Sequence, residues 1–146
     1  MINVYSSTII AVPAGQVWQR VSDFNGLPNW HPAATDSKIE DGFQNGQIGC
    51  VRNFGLAGGS DRIRETLLAI SSTDRSMTYN MLPNGPLPFV NYIAKMKFTP
   101  ITDRDETFAE WWADFEAGDG DDAKWSAFVA NDVFLGGFRA LEDSFK

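Results

Sequence analysis

Two side chains of this sequence could transfer protons in an apolar setting, Glu65 and His31. Residues 61–71 are predicted to form a strand, in which neighbouring side chains point to opposite faces. Arg62 and Arg64 share one face and belong in water, which turns Glu65 inward. A buried carboxyl group tends to have a raised pKa, and such a group is suited to general acid or base catalysis.

Both candidates also have explanations that involve no catalysis. Glu65 could be paired with a cation, hydrated inside a cavity, or returned to the surface by a one-residue bulge in its strand. His31 is the only histidine and lies in the proline-flanked stretch 27–34. An unperturbed histidine titrates near neutral pH and could act as a base or bind a ligand, but a single histidine in such a turn is more often a satisfied surface or packing residue.

Other chemistry finds little support in the sequence. Asp119, Asp121 and Asp122 lack the ligand spacing and closing glutamate of a calcium loop. One histidine and one cysteine, Cys50, do not make a zinc site, and a single cysteine allows no intrachain disulfide. Nucleophile, phosphate-binding and dinucleotide motifs are absent. We therefore expect neither a metal nor a cofactor.

A long C-terminal helix over residues 122–145 is the element around which these candidates must be arranged. Its apolar residues recur at helical spacing, and acidic residues precede it, as suits the positive end of a helix dipole. The apolar stripe is too broad and aromatic for a helix that lies in water. The helix therefore needs a concave surface to lie in.

The rest of the chain predicts a sheet that supplies this surface. A strand over residues 2–12 is followed by a helix over 14–24 and by a turn or broken helix over 27–34. Six further strands are separated by turn signals and are predicted over residues 36–40, 49–56, 61–71, 76–81, 90–101 and 106–116. Strands at hairpin spacing pair antiparallel. The prediction is an α+β fold, a single domain over residues 1–146, with about seven strands curved around the long C-terminal helix and two short helices after the first strand.

In this order of elements the chain resembles the START-like, Bet v 1-like (SRPBCC) helix-grip superfamily, in particular its bacterial polyketide cyclase/dehydrase-like members. The segments that carry the resemblance are the opening strand, PAGQVWQRVSDF with the following NW turn, GCVRNF, RETLLAISSTDRSMTYNM, FVNYIAKMKFTPI and the terminal helix. The resemblance covers essentially the whole chain. It implies a deep cavity between the sheet and the helix for a hydrophobic small molecule.

A more distant resemblance is to the plant abscisic acid receptors, which have the same fold. It implies lids at residues 56–60 and 82–88, and it places a cavity glutamate and tyrosine at Glu65 and Tyr92. A hormone-receptor role is not implied, because the hormone-binding lysine of those receptors aligns near Ala33-Ala34 and their helix asparagine aligns near Gly137.

The inward aromatic and methionine side chains predict the walls of this cavity, and a few polar groups converge on it. The predicted ligand-binding residues are Trp30, His31, Phe54, Ile63, Glu65, Tyr79, Met81, Tyr92, Trp111, Phe134 and Phe138. The ligand is expected to be aromatic, polyketide-like or lipid-like. One alternative is a cyclase, dehydratase or hydrolase that uses Glu65 or His31 as acid or base. Another is a non-catalytic module that binds a protein partner, for which outward Trp112 is a contact candidate.

Composition and net charge limit which partners and which cellular location we expect for this protein. The chain has 146 residues, is 43% hydrophobic and 21% charged, and carries a formal net charge of −7. This charge disfavours nucleic acid and anionic membranes as partners. No signal peptide is visible and no apolar run approaches the length of a membrane span, so we expect a cytoplasmic protein without membrane insertion. A homodimer is left open.

Overall fold

A seven-stranded antiparallel sheet organises the protein, whose computed structural model describes residues 1–146. The strands are β1 (Ile2–Ile10), β2 (Ala34–Ile39), β3 (Val51–Leu56), β4 (Arg62–Ser71), β5 (Ser76–Met81), β6 (Phe89–Ile101) and β7 (Glu106–Ala117). Their order across the sheet is β1-β7-β6-β5-β4-β3-β2. Consecutive strands therefore pair as hairpins, except that β1 closes the far edge beside β7.

Two short helical segments follow β1, as predicted, but their boundaries differ from the prediction. The helix α1 (Ala14–Val21) ends three residues before the predicted end at residue 24. A 3-10 helix (Phe24–Asn29) follows and begins at Phe24, the residue at which the first helix was predicted to end. The chain keeps turning there because Phe24 must reach the core, where it is fully buried.

The C-terminal helix consists of three consecutive segments, α2 (Asp122–Ala127), a π-helical segment (Phe128–Leu135) and α3 (Gly136–Asp143). Asp121 begins it, because its side chain accepts a hydrogen bond from the Lys124 backbone N–H over 3.3 Å. The predicted start is confirmed, whereas the wider π-helical turns were not anticipated. We call the three segments together the terminal helix. None of the helices combines the length and the apolar composition that crossing a membrane requires.

The core lies between the concave face of the sheet and the terminal helix. On β7 the residues that face inward are almost completely buried, namely Thr107, Ala109, Trp111, Ala113 and Phe115. Tyr92, Ala94, Met96 and Phe98 on β6 share that face and are also buried. The predicted α+β helix-grip arrangement, a curved antiparallel sheet wrapped around a long C-terminal helix, is confirmed.

Candidate functional site

A cavity of about 80 Å³ lies between the π-helical segment and the concave face of the sheet. Strands β3 to β7 supply its floor, and the terminal helix with the turn after the 3-10 helix supplies its roof. Its lining is mostly apolar and comprises Leu27, His31, Ala33, Arg52, Phe54, Leu56, Ile63, Glu65, Tyr79, Met81, Leu87, Phe89, Tyr92, Trp111, Phe128, Val129 and Val133. This volume holds two or three water molecules, or part of a small organic molecule.

Most of the predicted ligand-binding residues lie on this lining. They are His31, Phe54, Ile63, Glu65, Tyr79, Met81, Tyr92 and Trp111. Three of the predicted residues do not line the cavity, namely Trp30, Phe134 and Phe138. The prediction that they contribute to its wall is wrong. The indole of Trp111 is the reason, since Phe134 stacks on it at 4.4 Å between ring centroids and Phe138 packs at 5.3 Å.

Glu65 points inward, as the alternation of β4 predicted, and its partner is Arg52 on β3. The two residues are 5% and 4% exposed and stand opposite each other in the strand register. Arg52 Nε and Nη2 both reach Glu65 Oε1, over 2.9 Å and 2.8 Å. Glu65 Oε2 accepts no hydrogen bond from the protein, yet it is not fully enclosed. Because Glu65 lines the cavity, the accessible surface of this oxygen faces the cavity.

Arg52 also ties the sheet to the 3-10 helix. Its Nη1 donates to the backbone carbonyl of Phe24 over 2.9 Å, and its guanidinium lies 4.1 Å above the Phe24 ring. A second aromatic face, that of Tyr79, lies 5.0 Å from the same guanidinium. A cation held between two rings and a carboxylate is well stabilised in an otherwise apolar site.

The electrostatics of the pair favour a carboxyl group that gains a proton more easily than usual. Burial raises the pKa of Glu65, and the charge of Arg52 and its hydrogen bond oppose that shift. An arginine side chain is a permanent cation in proteins. The cavity therefore holds one fixed positive charge and one carboxyl group whose charge responds to its surroundings.

Two tyrosines and one tryptophan add polar groups to the same wall. Trp111 Nε1 donates to the Tyr79 hydroxyl over 3.1 Å, so that the indole ring has a fixed orientation. Burial raises the pKa of Tyr79 and of Tyr92, and the nearby Glu65 carboxylate raises both further. Both phenols therefore stay protonated and can act as hydrogen-bond donors.

His31 has both ring nitrogens engaged with the backbone. Nδ1 accepts from the Ala33 N–H over 3.1 Å, which makes Nε2 the protonated nitrogen that donates to the Val133 carbonyl over 2.9 Å. Burial lowers the pKa of His31, in part offset by the bond to Val133. Acting as a general base would require one of these bonds to break. The contacts instead show a neutral histidine that holds the π-helical segment against the turn.

Glycine at position 137 makes this contact possible. A Cβ atom there would lie 2.8 Å from the His31 ring and 3.1 Å from Trp111. Trp30 packs beside the same two rings, at 5.5 Å from His31 and 6.1 Å from Trp111, and its Nε1 is the only enclosed side-chain nitrogen or oxygen without a partner. One end of the cavity is thus closed by a tight cluster of aromatic rings.

Arg52 is the functional residue that reasoning from the sequence missed. A signal for it was present, because Arg52 and Phe54 lie two residues apart and so share one face of β3. Phe54 was placed on the cavity wall, and the same alternation puts Arg52 beside it. The inward Glu65 required a cation, and β3 is the neighbouring strand that supplies one.

Comparison with known proteins gives a family match over nearly the whole chain. The model of the family described as polyketide cyclase/dehydrase and lipid transport matches residues 1–144. None of the curated proteins compared matches the chain.

Solved structures of bacterial proteins show a similar fold at moderate sequence identity. An uncharacterized protein of Bacillus thuringiensis is 26% identical over 98% of both chains, with a TM-score of 0.84. The protein XoxI of Bacillus cereus is 29% identical over 99% of this chain and 96% of its own, with a TM-score of 0.81.

A plant enzyme shares the fold as well. Norcoclaurine synthase of Thalictrum flavum, solved in complex with dopamine and hydroxybenzaldehyde, is 16% identical over 97% of this chain and 84% of its own, with a TM-score of 0.71. At this identity the likeness is one of fold alone.

Proposed function

The chain belongs to the polyketide cyclase/dehydrase and lipid transport family, and from this premise we propose that it binds an uncharged, apolar small molecule in the cavity under its terminal helix. The membership confirms the START-like, Bet v 1-like resemblance and supports a ligand-binding role in general. The observation that carries the proposal for this chain is Glu65 Oε2, a carboxylate oxygen without a protein donor at an apolar cavity.

The cavity wall specifies what the bound end of the ligand must offer. Glu65 Oε2 can accept a hydrogen bond from a hydroxyl or amine of the ligand. The surrounding carbon atoms favour an aromatic ring or an alkyl group. Arg52 does not attract a ligand anion, because its guanidinium already bonds to Glu65 and to the Phe24 carbonyl.

A cavity-filling substitution tests this proposal. Val133 lines the cavity from the terminal helix and is only half-buried, so Val133→Phe can place a ring in the cavity with limited strain. Ala127 lies on the exposed side of the same helix, and Ala127→Phe is the matched control. Phenol, an uncharged ring with one hydroxyl group, is the probe, and protein NMR titration is the measurement.

We expect phenol to shift resonances of residues around Glu65 in the unsubstituted protein and in Ala127→Phe, but not in Val133→Phe. Thermal unfolding of the three proteins checks that each is folded. If phenol perturbs the Val133→Phe protein at the same positions with the same affinity, the cavity is not the binding site and the proposal is wrong.

Proton transfer by Glu65 is a second candidate function, favoured by the raised pKa of its carboxyl group and by the free Oε2. A carboxylate in this position could remove a proton from carbon next to a ketone. Hydrogen–deuterium exchange of phenylacetone in D₂O, followed by proton NMR, measures this directly. Glu65→Gln should abolish any exchange that the protein catalyses, and equal exchange with and without protein would exclude this activity on simple aryl ketones.

A further inference from the structure

A groove of about 670 Å³ lies on the outside of the protein, where β5 and β6 separate. The ladder between these strands ends with the pair Asn80 and Ile93. Beyond it, residues 82–88 form a loop, and β6 carries a bulge at Asn91, whose φ of +54° is left-handed. We call the separation of β5 and β6 beyond Asn80 and Ile93 the fork of the sheet. The loop over residues 82–88 forms one side of the groove.

The groove is continuous with the wall of the internal cavity. Met81, Leu87, Phe89 and Tyr92 belong to the lining of both. These four residues form a wall that the two spaces share, and two of them, Met81 and Leu87, are only partly buried.

The composition of the groove departs from that of the rest of the chain. None of its fifteen lining residues carries a charged side chain, although 21% of the chain is charged. Three of the eight large apolar side chains that the protein exposes lie in it, namely Leu68 (38% exposed), Val90 (43%) and Ile93 (42%). Side-chain amides at Asn80, Asn84 and Asn91 accompany them. This surface suits an uncharged molecule that has both apolar length and hydrogen-bonding groups.

The volumes of the groove and of the cavity indicate how large the ligand is and where it lies. Small-molecule sites usually measure roughly 300–1,000 Å³, and the internal cavity of about 80 Å³ is far below that range. The groove, at about 670 Å³, falls within that range. We infer that the ligand is an elongated, uncharged amphiphile, one end of which lies in the cavity at Glu65 while the remainder lies in the groove outside the fork. This inference rests on the proposed function, since the cavity must accept the buried end.

Para-alkylphenols of increasing chain length test it. Phenol, 4-butylphenol and 4-octylphenol offer the same ring and hydroxyl to the cavity and differ only in the part that would lie in the groove. A methylene that leaves water completely tightens binding about fourfold, and about twofold is expected where one side of the groove stays open to solvent. Dissociation constants should therefore fall on the order of 100-fold from phenol to 4-octylphenol.

Substitutions within the groove locate the effect. Ile93→Asn should weaken binding of 4-octylphenol about fivefold or more and leave phenol unchanged. Ile9→Asn is the matched control, because Ile9 is an isoleucine on the outer face of the same sheet, 50% exposed, and does not line the groove. In methyl NMR spectra, Leu68 and Ile93 should shift with 4-octylphenol and not with phenol.

The possible results separate the two proposals. If phenol binds in the cavity but affinity does not rise with chain length, or if Ile9→Asn and Ile93→Asn weaken 4-octylphenol equally, the groove is not part of the site and this inference fails alone. If no alkylphenol binds at any length, the proposed function fails as well. Length-dependent affinity that only Ile93→Asn reduces would support both.

Discussion

Replacing Arg52 by methionine should make the stability of the protein depend on pH in a way that identifies Glu65 as a dry, buried carboxyl group. The substitution keeps the apolar stem of the side chain and removes the partner of a carboxylate that is only 5% exposed. Breaking a buried ion pair in this way costs about 3–5 kcal/mol. A domain of this size has on the order of 5–15 kcal/mol of stability in total, so the variant should fold but only marginally.

Protonation of Glu65 limits this cost. An unperturbed glutamate has a pKa of 4.5, and each pH unit above it adds about 1.4 kcal/mol to the free energy of holding the proton. Loss of the Arg52 partner can therefore cost at most about 4 kcal/mol at pH 7.5 and about 1.4 kcal/mol at pH 5.5, because beyond that cost the carboxyl group takes up a proton instead. The lost hydrogen bond to the Phe24 carbonyl adds about 1 kcal/mol at either pH.

Whether stability rises or falls with pH depends on which state, folded or unfolded, binds more protons. With the pKa of Glu65 raised in the folded variant, the folded state holds a proton that the unfolded chain has released, so stability increases as the pH falls toward 4.5. The pKa of Glu65 is raised in the unsubstituted protein as well, which gains part of the same stabilisation, so the gap between it and the Arg52→Met variant should shrink by at most about 2–3 kcal/mol between pH 7.5 and 5.5. Urea denaturation at both pH values measures it.

The double variant Arg52→Met/Glu65→Met is the control. It replaces the pair by apolar side chains and should lie within about 2 kcal/mol of the unsubstituted protein, with little change in the gap over this pH range. A gap below about 1 kcal/mol for Arg52→Met at pH 7.5, unchanged at pH 5.5, would refute the reasoning. It would mean that water inside the cavity solvates Glu65 as well as Arg52 does.

Two further predictions concern the cluster that closes the cavity. Gly137→Ala should destabilise the protein by roughly 1–3 kcal/mol despite the better helix propensity of alanine, because its Cβ would meet His31 and Trp111. Gly15→Ala in α1 should instead stabilise the protein by up to about 1 kcal/mol, because no atom lies within 4 Å of the added Cβ. Thermal unfolding compares the two variants, and equal effects would contradict the packing argument. The pKa of His31 is lowered by burial from 6.5, so the unfolded chain binds the extra proton first and stability should fall as the pH drops below about 6.5. In His31→Gln this part of the pH dependence should vanish, and its persistence in urea titrations would show that another group causes it.

Strand alternation made much of the fold and part of the site predictable from the sequence. On β4, Arg62 and Arg64 share the face opposite Glu65, and on β7, Glu110 and Asp114 share the face opposite Trp111, so the inward direction of Glu65 and of Trp111 could be predicted from the sequence. The same rule applied to β3 would have revealed Arg52. It was missed because an arginine on a strand is normally assigned to water.

Other features depend on contacts between elements that no local pattern records. The apolar residues of the terminal helix recur at three- and four-residue spacing, which predicts a helix but gives no signal for the π-helical segment. Phe134 and Phe138 face the sheet as expected, but Trp111 lies between them and the cavity, and only the packing of the three rings decides which one forms the wall. The His31 contacts depend on backbone groups of Ala33 and Val133, which the sequence does not specify.

Native mass spectrometry of the protein purified from its own host, compared with the denatured protein, tests the central claim most directly. We predict a reproducible mass increase from an apolar small molecule that is present in the native spectrum and lost on denaturation. The Val133→Phe variant should lack it, and Ala127→Phe should retain it. A native mass equal to that of the bare chain, unchanged when phenol and 4-octylphenol are added, would contradict the claim that the cavity is a binding site.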